Sequence, residues 1–125
     1  MKTILLIDDN IDLREDIAQI LTLWGYTVIG VSSYVKAINE LKQQAIDLVI
    51  SDLVLSDGQG TAILNHIRES HTDKNLPFIL LSGHDLEYIY RDGLKYQPDI
   101  FLQKPFSLRG LNKAISDILN KEAGV

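Results

Sequence analysis

Asp47-Leu48-Val49-Ile50-Ser51-Asp52 is apolar through its middle and acidic at its end. A continuous apolar run of this length suits a strand covered on both faces. Upstream, Ile4-Leu5-Leu6-Ile7 repeats the pattern and runs into Asp8-Asp9-Asn10. Downstream, Leu76 to Leu81 reads as a further strand, with Pro77 near its start, where a strand tolerates proline. The β-branched stretch Thr27 to Val31 and the short run Ile100 to Gln103 add two more.

Helical spacing fills the intervals. Leu13, Ile17, Ile20, Leu21 and Trp24 recur on one face, with Asn10 or Asp12 as cap and Gly25 as stop. Ser32 and Ser33 can cap a second helix through Leu41, with Ile38 and Leu41 facing the core. Ser56 to Gly60 is turn material, and Ile63, Leu64 and Ile67 mark a third helix. Leu86, Ile89, Tyr90 and Leu94 give a weaker helical pattern over Asp85 to Leu94, interrupted by Asp92-Gly93. Leu108, Leu111, Ile115, Ile118 and Leu119 form the clearest amphipathic helix, and the tail from Asn120 is expected to fray.

Strands alternating with helices mean an α/β fold: a five-stranded parallel sheet with five helices on both faces, in three layers. Right-handed crossovers and the order 2-1-3-4-5 place a switch point between strands 1 and 3. Ligands of such sheets bind beyond the carboxyl ends of the strands at that point.

The 125 residues suffice for a single domain spanning 1–125, and a hydrophobic share of 46% supplies its core. The formal charge of −5 and the lack of a basic face argue against direct nucleic-acid binding. With no cysteine, disulfides, zinc–thiolate sites and thiol nucleophiles are excluded. No apolar run is long enough for a membrane span, and the N-terminus does not read as a signal peptide, so a cytoplasmic protein is expected.

Asp8 and Asp9 end strand 1, Asp52 ends strand 3, Ser82 ends strand 4 and Lys104 ends strand 5. Each alone is ordinary: a helix cap, a loop hydroxyl, a solvated lysine. Together they converge on one sheet edge. Two carboxylates about 5 Å apart repel by roughly 3 kcal/mol at an effective dielectric near 20. Such a cluster holds either protons or a cation. Hard carboxylate oxygens suit Mg²⁺, and Mg²⁺ with a lysine is what a transferring phosphoryl group requires.

Asp8-Asp9, Asp52, Ser82 and Lys104-Pro105, in this order at successive strand ends, resemble the receiver domain of two-component response regulators, the CheY-like group with a flavodoxin-like fold. The loop from Asp52 to Gly60 is similar to the family's loop after the phosphorylation site. The resemblance implies that Asp52 is the phosphoacceptor, served by a histidine kinase or a histidine phosphotransfer protein. It implies that Asp9, Asp52 and the backbone carbonyl of Val54 bind Mg²⁺ (with Mn²⁺ as a substitute), and that Asp8 acts mainly through a metal-bound water. Lys104 would pair with a phosphoryl oxygen, Ser82 would hydrogen-bond the group, and Phe101 would change rotamer on activation. The chain would be a signalling switch that catalyses only its own phosphorylation and slow dephosphorylation. The face made by the segment Asp85–Leu94, the fifth strand and the last helix, with Tyr88, Tyr90 and Tyr96, would meet an output domain, an effector protein or a second copy.

The chain departs from the family pattern in places. Ser56 stands where proline is usual, Gln59 replaces a common acid, and Phe101 lacks a hydroxyl where tyrosine is frequent. Val54 and His84 flank the phosphoryl position. Val54 cannot orient an attacking water, whereas His84 has a ring able to do so. A metal-dependent phosphatase using Asp52 as a transient nucleophile is disfavoured, because such enzymes carry a second acid at the position of Val54. A receiver-like module that never takes phosphate is the other alternative; it would tend to lose an acid or the lysine, and this chain keeps them all.

Overall fold

The computed structural model describes residues 1–85, 87 and 94–122. Chain order is β1 (Thr3–Ile7), α1 (Ile11–Leu23), β2 (Thr27–Val31), α2 (Tyr34–Gln43), β3 (Leu48–Asp52), β4 (Val54–Leu55), β5 (Gly58–Gln59), α3 (Gly60–Arg68), β6 (Phe78–Ser82), β7 (Ile100–Gln103) and α4 (Leu108–Glu122). Five strands pair in parallel in the order β2-β1-β3-β6-β7, the arrangement the alternating pattern predicts. β4 and β5 form a separate two-stranded antiparallel ribbon.

The continuous apolar strands are explained by burial on both faces. Leu5, Ile7, Val49, Phe78 and Leu80 point into a core shared with α2 and α3. Their alternate neighbours Ile4, Leu6, Ile50, Ile79 and Leu81 point into a second core shared with α1 and α4. β1, β3 and β6 thus carry apolar residues at successive positions because no position faces water. β2 and β7 lie at the sheet edges, and their side chains are less completely buried.

Local chemistry sets the helix ends. Asn10 Oδ1 accepts from the Leu13 amide at 3.1 Å and opens α1. Gly25 follows Trp24 with φ of 98°, a conformation that favours glycine, and stops it. Ser33 Oγ accepts from the Lys36 amide at 3.2 Å to cap α2, and Ser107 Oγ accepts from the Gly110 amide at 2.9 Å at the start of α4.

The sequence expectations need correction at several points. Ser56 to Gly60 is not merely a turn: Gly58–Gln59 is a strand and Gly60 begins α3. The fourth strand starts at Phe78, because Pro77 has no N–H to donate, although its carbonyl still accepts from Val49 at 3.0 Å. The last helix runs on to Glu122 instead of fraying from Asn120, since nothing before Gly124 breaks a helix. Four helices lie among the described residues; most of the expected helix over Asp85–Leu94, including Tyr88 and Tyr90, falls outside them. Tyr96 is less a free surface residue than expected. It is partly buried against the first core, with Lys95 Nζ 5.7 Å from its ring centroid.

Candidate functional site

The carboxyl ends of β1, β3, β6 and β7 deliver the polar residues to one place. β1 and β3 are neighbours in register, Ile7 opposite Ser51, so Asp8 and Asp52 emerge side by side. Oxygens of Asp8, Asp9 and Asp52 all lie within 4.8 Å of one another. Lys104 reaches across from the end of β7. Its Nζ is 3.2 Å from Asp52 Oδ1 and 3.6 Å from Asp8 Oδ2. The Lys104 amide donates to the Ser82 carbonyl at 2.7 Å, which places Ser82 beside the lysine. The Lys104–Pro105 peptide bond is cis.

These five residues differ in their surroundings. Asp8 is fully buried, while Asp9 is exposed. Asp8 Oδ1 accepts from the Asn10 amide at 2.9 Å, but Asp8 Oδ2 is buried with no hydrogen-bond partner. Asp52 Oδ1 accepts from the Leu53 amide at 3.0 Å. Burial pushes the Asp52 carboxyl above the usual carboxylate range; the Lys104 ammonium opposes this and the Asp8 charge adds to it. Ser82 is buried, and its Oγ accepts from the His84 amide at 2.9 Å.

A buried carboxylate oxygen without a hydrogen bond is costly on general grounds, a second and third carboxylate at its side raise that cost, and the single Lys104 ammonium offsets only part of it. A divalent cation relieves both penalties at once. Three carboxylates and nearby backbone carbonyls form an all-oxygen donor set, which suits Mg²⁺. The residues present therefore fit the metal that the sequence pattern suggests.

Val54 sits two residues beyond Asp52 on β4, with its side chain half exposed. Phe101 faces Leu80 across β6 and β7 and packs, partly buried, against the first core. His66 and His71 are exposed.

Three contributors escaped the sequence reading. Arg14 Nη1 donates to the Asp8 carbonyl at 2.7 Å and so fixes the loop that presents both acids. Ser51 Oγ donates to the Asp52 carbonyl at 2.9 Å. Gly60 packs directly on that same carbonyl: a Cβ there would collide with Asp52 O and lie 2.9 Å from Ser51 Oγ. Only Gly60 has a local signal, a poor helix former standing at the first position of a helix.

The family model described as response regulator receiver domain matches residues 4–116. The chain belongs to that family. This receiver is 35% identical over 121 residues to the sensory transduction protein BceR of Halalkalibacterium halodurans, covering 97% of the chain and 51% of BceR. It is 31% identical over 122 residues to the sensor kinase CckA of Brucella abortus, covering 96% of the chain and 13% of CckA. It thus spans about half the length of one relative and a small part of the other. The solved receiver domain of the sensor histidine kinase PA1611 of Pseudomonas aeruginosa matches with a TM-score of 0.84 at 25% identity, covering 93% of this chain and 95% of that one. That structure has a magnesium ion coordinated in its active site cleft.

Proposed function

We propose that this receiver is a phosphorylation switch in which Asp52 accepts a phosphoryl group from a phosphohistidine on a histidine kinase or phosphotransfer protein. The observation that carries the reading is the under-satisfied acid cluster: a buried Asp8 Oδ2 with no hydrogen bond and only a 3.6 Å ion pair to Lys104, beside an Asp52 carboxylate gripped by the same lysine at 3.2 Å. Asp9, Asp52 and the Val54 carbonyl would hold Mg²⁺, with Asp8 acting through a bridging water. When bound, the metal neutralises negative charge on the phosphoryl oxygens and lets them approach a carboxylate.

This chain's own residues do the rest. An oxygen of Asp52 attacks phosphorus; the P–N bond to the donor imidazole breaks and its electron pair stays on the ring nitrogen. Lys104 loses its hold on a free Asp52 oxygen and pairs with a phosphoryl oxygen. The Ser82 hydroxyl turns from the His84 amide to donate to another. The loop carrying Ser82 moves inward, and Phe101 rotates into the space it leaves. That movement alters the face around β7 and α4, where an output domain, an effector or a second copy would dock. Residues 1–125 act as one receiver unit. Among the described residues no helix is long and apolar enough to cross a membrane.

Acetyl phosphate with Mg²⁺ is expected to add one phosphoryl group, read by intact mass. Asp52→Asn should lower incorporation by at least about a hundredfold, since it removes the carboxylate that Lys104 holds most closely. Undiminished labelling of that variant would remove Asp52 from its role, and labelling of wild type unaffected by EDTA would remove the metal.

A further inference from the structure

The β4–β5 ribbon that carries Val54 has little to hold it in shape by itself. Val54 pairs with Gln59 and Leu55 with Gly58, which leaves Ser56 and Asp57 as a two-residue turn. Turns of this length favour the primed types, with positive φ, because these match the twist of the strands. Among the described residues no non-glycine has positive φ, and Gly25 is the only such glycine. The turn therefore has the hand that splays its strands. A ribbon of two pairs is also marginal in isolation. Its base is fastened by the Gly60 amide to the Leu53 carbonyl at 2.7 Å, and Leu55 is buried in the core.

The tip is fastened from outside. Asp57 Oδ1 accepts from the Tyr34 amide at 2.7 Å, and Oδ2 accepts from the Val35 amide at 3.1 Å. These are the first two residues of α2. Tyr34 also lies over the next residue of the ribbon, its Cβ 3.5 Å from where a Cβ of Gly58 would stand. α2 already has a local cap in Ser33, so an acid from a distant loop is not needed to start the helix.

We propose that Asp57 is a positioning residue that clamps the tip of the β4–β5 ribbon to the first turn of α2 and so holds the Val54 carbonyl in place for the cation. The inference rests on the Mg²⁺ binding put forward above. Ser56 leaves the turn without the rigidity of a proline, and Asp57 supplies the restraint across space. The two amide bonds also keep Asp57 ionised, its carboxyl held below the usual range chiefly by the Tyr34 amide.

Calorimetric Mg²⁺ titration and amide hydrogen exchange of the full chain test this. Asp57→Ala should weaken Mg²⁺ binding by about tenfold, the usual scale for a residue that orients a metal ligand. It should also speed exchange at Tyr34 and Val35 but not at Lys36. Asp57→Asn, which keeps one acceptor oxygen, should fall between. Ser33→Ala removes the cap of α2 without touching the ribbon, and should lower the melting temperature with Mg²⁺ affinity unchanged. Ser56→Pro presets φ at the first central position of the turn and should restore affinity in the Asp57→Ala background. Wild-type Mg²⁺ affinity in Asp57→Ala with the two amides released overturns the proposal. So does a Ser33→Ala protein that loses affinity equally. A wild type that binds no Mg²⁺ overturns the functional reading and this inference together.

Discussion

The two ends of the sheet use the same kinds of residue to opposite effect. At the amino-terminal end, Arg68 donates to the Leu76 and Lys74 carbonyls at 2.6 and 3.3 Å and to Asp99 Oδ2 at 2.8 Å. That same Asp99 oxygen accepts from the Phe78 amide, and Asp47 accepts from the Thr3 amide, each at 2.8 Å. Each of these charges has a hydrogen-bond partner, and the Arg68–Asp99 pair ties α3, β6 and the start of β7 together. At the carboxyl end, three acids face one lysine and a buried oxygen is left without a hydrogen bond. A satisfied charge network stabilises and is finished. An unsatisfied one has stability withheld from it, which a ligand can return.

The largest break of this contrast should come from shape alone. Gly60→Ala pushes a methyl group into the Asp52 carbonyl and is expected to cost about 3 kcal/mol in urea unfolding. The damage falls on the backbone of Asp52 itself, so Mg²⁺ affinity should fall with it. At the other end, Arg68→Ala strands two carbonyls and one side of Asp99, and is expected to cost about 2 kcal/mol while leaving Mg²⁺ affinity unchanged. Equal loss of metal binding in both variants would erase the distinction between the ends.

Much of this was legible beforehand because strand ends are one-dimensional facts. An apolar run that stops at an acid, repeated between helices, fixes which side of the sheet the acids occupy. Asp8, Asp9, Asp52, Ser82 and Lys104 were found in this way. What could not be read was contact across space. Asp57 meets α2 more than twenty residues away in sequence, and Arg68 meets Asp99 at a separation of 31. Gly60 is required by a carbonyl eight positions upstream. Ser56 to Gly60 reads as a turn and conceals the β4–β5 ribbon, because two-residue strands have too few positions to show a period.

The smallest effect should be the most diagnostic. Burial raises the Asp52 pKa, so the folded protein binds more protons than the unfolded chain between the two values. Stability attributable to this group is then complete below the ordinary aspartate range and lost as pH rises through the raised value. Asp52→Asn should accordingly gain on wild type as pH rises through the raised value, when metal is absent. Saturating Mg²⁺ should reverse the sign, because it stabilises only the ionised carboxylate. A difference that is flat with pH would mean that burial exacts no charge penalty at Asp52.

One further consequence concerns the single tryptophan. Trp24 closes α1 at its far end and rests against the second core, while the acids sit at the helix's beginning. Thirteen residues of helix put about 20 Å between them. Intrinsic emission from this protein is therefore expected to follow global melting and to stay silent when the pocket fills.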